Sequence, residues 1–194
     1  DGFVNVRLAV NEKDPDKFEK YRMNLVQLEE TSDRMEYQIA AFLNNVSTES
    51  ISEDEAEEIK VLYRIIGELE SLGDSGENIS RILERERVHN RKFDSSTISK
   101  INLMIDVTDK AYKVMSDNLE AAVSGNVRDI ANAYAAEDEI NSMRNTLREE
   151  CVNQIEQHSG NYQSLNYFLD IISELEAMGD FMINVSQAVV RNDA

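Results

Sequence analysis

Two pairs of carboxylates stand four residues apart in matching surroundings: Glu70 with Asp74 inside IIGELESLGDSGENIS at 65–80, and Glu176 with Asp180 inside IISELEAMGDFMINVS at 171–186. In a helix, residues i and i+4 lie one above the other, so each segment presents two carboxylates on one face. Joined by side chains from a neighbouring helix, such a pair is an oxygen-donor set for a hard or borderline cation such as Mg, Mn, Fe or Zn. Glu29 and Asp33, again four apart, are candidates to complete the first set with four donor side chains. The competing reading is a solvated acidic face, where like charges at this spacing cost a helix ~0.2–0.5 kcal/mol.

The two segments are an internal duplication: nine of their sixteen positions are identical at a fixed offset of 106 residues, from 65 to 171. What persists between the copies favours chemistry over packing. Glu68, Glu70, Asp74 and Asn78 reappear as Glu174, Glu176, Asp180 and Asn184, while Leu72 has become Met178. Heptad counting puts Leu69 and Leu72 on the buried seam, and Glu70 and Asp74 more than about 90° away from its centre. A weaker match, offset by 108, lays LEETSDRMEYQI at 28–39 over AEDEINSMRNTL at 136–147. Glu29 then meets Glu137, but Asp33 meets Asn141, so the second copy loses a carboxylate.

Long helices must position these groups, because one proline and seven glycines leave few breakers in 194 residues. Apolar residues three and four apart predict five of them. The seams are Phe18, Tyr21, Leu25, Leu28, Ser32, Met35, Ile39, Phe42 and Val46 in the first helix and Leu62 to Leu83 in the second. The others run from Ile98 to Ala122, Ile130 to Ile155 and Phe168 to Val189. Asp14-Pro15, the capping box Ser52 with Glu55, and Asp94-Ser95-Ser96 mark helix starts. Ser124-Gly125-Asn126 and Ser159-Gly160-Asn161 punctuate the later junctions. Short connections make neighbours antiparallel, giving an all-α, elongated helical bundle. Residues 3–10, FVNVRLAV, alternate Val4, Val6, Leu8 and Val10 and read as extended. The chain thus divides into an extended N-terminal segment at 1–15, a first repeat of two helices at 16–90 and a second repeat of three at 94–194. The first repeat lacks a leading helix. Gly73 and Gly179 read as places of close helix approach.

Net charge excludes some partners. Twenty Lys and Arg against 38 Asp and Glu give −18, which repels phosphate backbones and anionic headgroups. Nucleic acid and direct membrane insertion are therefore not expected, and no apolar run reaches the roughly 20 residues of a membrane span. A lone cysteine, Cys151, suits a reducing compartment and reads as a core residue. The start at Asp1, without Met, suggests a piece cut from something longer. Catalytic templates fail: there is no P-loop, Gly-rich dinucleotide loop, CxxC or HExxH. A single Glu-x-x-His, Glu86 to His89, cannot make a ferritin-like di-iron centre, and His158 reads as a helix-end cap. An enzyme is not expected.

With ELESLGDSGENIS and ELEAMGDFMINVS in both halves, residues 17–191 resemble the PhoU-like domains, built of two three-helix repeats with an acidic motif and a GD-x-x-x-N segment on the last helix. The resemblance implies multinuclear Fe or Zn clusters on the bundle surface. Carried over by position, the first site comprises Glu29, Asp33, Glu70 and Asp74, and the second Glu137, Glu176 and Asp180. Asn141 departs from the motif. The chain looks most like the cytoplasmic C-terminal domain of bacterial sodium/phosphate cotransporters, where a PhoU-like bundle follows membrane helices. That implies a regulatory or coupling role, with the membrane domain of the same transporter as partner. The alternatives are a stand-alone PhoU-like regulator that binds a phosphate-transport or sensor protein, and a structural interaction bundle without metal. An apolar seam left uncovered by the incomplete first repeat would favour a homodimer.

Overall fold

A computed structural model describes residues 2–47, 51–126, 129–157 and 161–190. Six α-helices organise them: α1 Gly2–Asn11, α2 Pro15–Ser47, α3 Glu53–Val88, α4 Ser95–Val123, α5 Ala131–Glu156 and α6 Tyr162–Val189. Their ends follow local chemistry. Ser52 Oγ accepts from Glu55 N while Glu55 Oε2 accepts from Ser52 N, closing the expected capping box. Asp94 Oδ1 takes the Thr97 N–H, and Asn161 Oδ1 those of Gln163 and Ser164. Gly125 ends α4 at φ 69°, in the left-handed region that glycine reaches without a Cβ clash. His158, expected as a helix-end cap, lies outside the described residues.

The two motif-bearing helices form the spine. α3 and α6 run antiparallel, since Asn184 Nδ2 donates to Glu68 Oε2 at 3.2 Å, Arg64 Nη2 donates to Gln187 Oε1 at 3.4 Å, and Gly76 faces the Met178 methyl. α2 lies against α3, and α5 against α6. α4 closes the second repeat. It is antiparallel to α5 through Lys100–Glu150 (2.6 Å) and Lys110–Glu139 (2.5 Å), and parallel to α6 through the Thr108 hydroxyl, 3.5 Å from Leu175 O. All six helices contribute to one apolar core, so the repeats are not separately packed units.

Residues 2–11 correct the sequence reading: they form a helix, not an extended arm, and the helices number six where five were expected. The alternating valines mislead because a helical spacing is present beside them. Val6, Ala9 and Val10 (i, i+3, i+4) are buried against α2, α3 and α4, whereas Val4 and Leu8 face outward. Polar contacts hold α1 in place: Asn24 Nδ2 donates to Asn5 Oδ1 at 2.9 Å, Arg7 pairs with Asp106 at 2.5 Å, and Arg87 reaches the Ala9 and Glu12 carbonyls. The Asn24–Asn5 pair repeats in the second half as Asn132–Asn118, because Asn132 lies 108 residues after Asn24. α1 therefore occupies the place held in the second repeat by the C-terminal end of α4.

A second correction concerns the α2 seam. Phe18, Leu25 and Leu43 are buried, but Leu28, Met35, Ile39 and Phe42 are exposed. No helix among the described residues covers that part of α2.

Candidate metal centre

α2 and α3 run antiparallel, which lays the acidic stripe Glu29, Asp33, Glu36 beside the stripe Glu70, Asp74, Glu77. Each stripe has spacings of four and three, one helical face over two turns. Glu29, Asp33 and Asp74 come closest: one carboxylate oxygen from each lies within 4.8 Å of the others. Glu70, the fourth expected ligand, stands outside this trio, nearer Asp74, Glu36 and Asp33 along the stripe, with the Ser71 hydroxyl 3.4 Å from its Oε2. Sequence reasoning missed Glu36 and Glu77. Their signal was available, since each extends a Glu-x-x-x-Asp pair by three more residues.

Six carboxylates in two facing stripes repel one another. Desolvation, then Asp33, Glu77 and Asp74, raise the Glu29 carboxyl above its ordinary range; desolvation, then Asp74, Glu36 and Asp33, raise Glu70. Among the described residues the only cation paired with the six is Arg81, on Glu77 at 2.8 Å. A divalent cation among Glu29, Asp33 and Asp74 would relieve this repulsion, and an all-oxygen set on an exposed rim suits Mg, Mn, Fe or Zn.

The second repeat places the matching positions alike but fills them differently. Glu137, Glu176 and Asp180 keep their carboxylates, whereas Asn141, Arg144 and Ile183 stand where the first repeat has Asp33, Glu36 and Glu77. Formal charge falls from −6 for six carboxylates to −2 for three carboxylates and one arginine. Arg144 Nη2 donates to Glu176 Oε1 at 2.7 Å and to Asn141 Oδ1 at 3.3 Å, and the Asn141 amide donates to Glu137. A guanidinium thus already supplies positive charge here. Of the expected second site, Glu137 and Glu176 are engaged internally while Asp180 is exposed, and Asn141 is only part of the difference from the first.

Other retained polar residues have packing roles. Glu68 and Asn184 bond each other across the α3–α6 spine, and Asn78 and Glu174 share one cleft on it. Gly73 and Gly179 are close-approach positions, as expected. A Cβ on Gly73 would collide with Ser32 Oγ, and one on Gly179 would sit 2.8 Å from Ile140 Cδ1; Ser32 and Ile140 are themselves repeat equivalents. Glu86 accepts the Phe93 N–H at 3.0 Å and His89 Nδ1 faces Tyr167 Oη at 2.6 Å, so this pair serves the α3–α4 and α3–α6 junctions. Cys151 is buried, and burial raises its thiol pKa.

An all-α bundle of duplicated helices with a carboxylate rim defines the class of fold. Residues 104–189, from within α4 to the end of α6, match the family model of the PhoU domain. That stretch is similar to the PhoU domain. Neither the curated proteins nor the solved structures provide a match.

Proposed function

We propose that this chain is the regulatory or coupling domain of a sodium-dependent phosphate transporter, on the cytoplasmic side, acting through helix-bundle contacts with the transporter's membrane domain. The PhoU domain at 104–189 supports a role in phosphate-transport regulation. No described helix is long and apolar enough to cross a membrane. The role is non-catalytic: its device is a cation-sensitive carboxylate rim on the first repeat, with Glu29, Asp33 and Asp74 as ligands and Glu70 and Glu36 beside them. Fe or Zn is the cation. The observation that carries this is the contrast between the ladders: three carboxylates within 4.8 Å without an internal cation in one, Arg144 seated among the equivalents in the other.

Elemental analysis after exposure to Fe and Zn tests the rim. The native chain retains metal at a single site, and Glu29→Gln/Asp74→Asn loses it. Equal, near-zero metal in both leaves the rim a solvated acidic face and the bundle an interaction module. A stand-alone PhoU-like regulator is the second reading, favoured by the family match itself. Several apolar segments of about 20 residues encoded upstream of Asp1 support the transporter domain, and an initiator Met within about 40 residues selects the stand-alone regulator.

A further inference from the structure

Where α3 ends against the start of α6, the loop that follows α3 is built to hold an arginine. His89 closes the helix, and Asn90 follows at φ 51°, in the left-handed region that asparagine tolerates better than most residues. The Asn90 N–H donates to Arg87 O at 3.0 Å and the Arg91 N–H to Glu86 O at 2.9 Å, the paired bonds of a Schellman turn. Two residues on, the carboxylate of buried Glu86 accepts the Phe93 N–H at 3.0 Å, so the chain is tied to α3 on both sides of Arg91. Arg91 lines a cavity of about 390 Å³ together with His89 and, from the first turns of α6, Gln163, Asn166 and Tyr167. His89 Nδ1 lies 2.6 Å from Tyr167 Oη, and their rings stack with centroids 6.3 Å apart at 20°, which makes one wall.

The lining runs against the charge of the chain: with a net −18 overall, no carboxylate among the described residues borders this cavity. None of the ion pairs among the described residues involves Arg91, and its Nε is buried without a hydrogen-bond partner. Arg144 Nε is buried and unpartnered too, but that guanidinium is already engaged by Glu176 and Asn141. Glu86 does not serve Arg91 in the same way, since the cations beside its carboxylate are Arg87 and Lys92. We propose that this cavity binds the phosphoryl group of a small molecule, either inorganic phosphate or a phosphate monoester. Arg91 supplies the charge and a planar fork of donors, and the carboxamides of Gln163 and Asn166 add N–H groups. With the Tyr167 hydroxyl donating to Nδ1, the His89 imidazole keeps its hydrogen on Nε2 as a further donor. So many donors exceed what the two oxygens of a carboxylate can use and suit the three of a phosphoryl group. The first-turn amides of α6 take no part, because Asn161 Oδ1 already accepts from Gln163 N and Ser164 N. A volume of about 390 Å³ falls in the range of small-molecule sites and leaves room for a group esterified to the phosphate.

The cavity lies about 20 Å along α3 from the carboxylate rim, so the two sites are tested apart. Titration calorimetry is run in chelator, which removes any rim cation that could hold an anion. The native chain binds inorganic phosphate and glycerol 3-phosphate, and binds succinate roughly tenfold more weakly or worse. The tighter of the two phosphate probes tells the free ion from the ester. Arg91→Gln and, separately, Asn166→Asp, which adds a carboxylate to the lining, keep their helical circular dichroism and lose roughly tenfold or more in affinity for both phosphates. Arg85→Gln, in the other cleft on the spine, leaves that affinity unchanged. Failure of the native chain to bind either phosphate, succinate binding as tightly as phosphate, or unchanged binding by both cavity variants overturns the proposal, whatever the metal content of the rim.

Discussion

Glu36 and Arg144 occupy one place in two copies of a helix, and the charge there decides what each carboxylate ladder can hold. With Glu36, the first ladder gains repulsion that Arg81 offsets only at Glu77; with Arg144, the second is partly offset from within. The pH dependence follows from the raised carboxyls of Glu29, Glu70 and buried Glu86. A carboxyl whose folded pKa lies above its unfolded value binds more protons folded than unfolded, so its effect on stability improves as pH falls through that interval and is lost as pH rises through the folded pKa. Glu12, Glu19, Glu55 and Asp94 are held low by backbone or side-chain hydrogen bonds and act in the opposite sense at lower pH. In chelator, thermal melting should therefore rise from pH 7 towards about pH 5 and fall below about pH 4. Asp74→Asn, which removes repulsion from both Glu29 and Glu70, should raise the neutral-pH midpoint and shrink the rise; a flat profile in the native chain would contradict the ladder.

Each motif helix is brought onto its neighbour by one glycine, and the two contacts differ in how far they can yield. At Gly179 a Cβ meets the branched side chain of fully buried Ile140, while at Gly73 it meets the hydroxyl of Ser32, which can rotate away. Gly179→Ala should therefore destabilise by about 1–3 kcal/mol. Gly73→Ala should cost less: both changes gain ~1 kcal/mol of helix propensity, but only at Gly73 can the closest atom, the Ser32 hydroxyl, rotate away. Urea unfolding of the two variants checks this order, and equal losses would contradict it. The long helices were legible in the sequence: the rarity of breakers, the Ser52–Glu55 box and the Asp94 cap all act within a few residues. α1 was not, because its valines satisfy a two-residue alternation as well as a helical face, and only the neighbours on α2, α3 and α4 choose between them.

At the scale of the molecule, one duplicated plan has become two unequal halves around a shared spine. Truncating equivalent positions exposes the inequality. Phe168→Ala opens a cavity under α4 and should cost about 3–5 kcal/mol, whereas Leu62→Ala, on the uncovered face, should cost roughly 0.5 kcal/mol or less. Comparable losses in denaturant melts would mean that Leu62 is covered in solution. The sequence by itself determined the class of fold and the duplication, and it offered Glu29, Asp33, Glu70 and Asp74 as a candidate cation set, because helical periodicity and repeat identity are local properties of the chain. Only the tertiary structure decided that Glu70 stands aside, that Glu36 and Glu77 join the rim, that Arg144 offsets part of its twin's charge, and that no described helix covers one face of α2. Those outcomes depend on the register of one helix against another, which sequence spacing within a single helix does not fix.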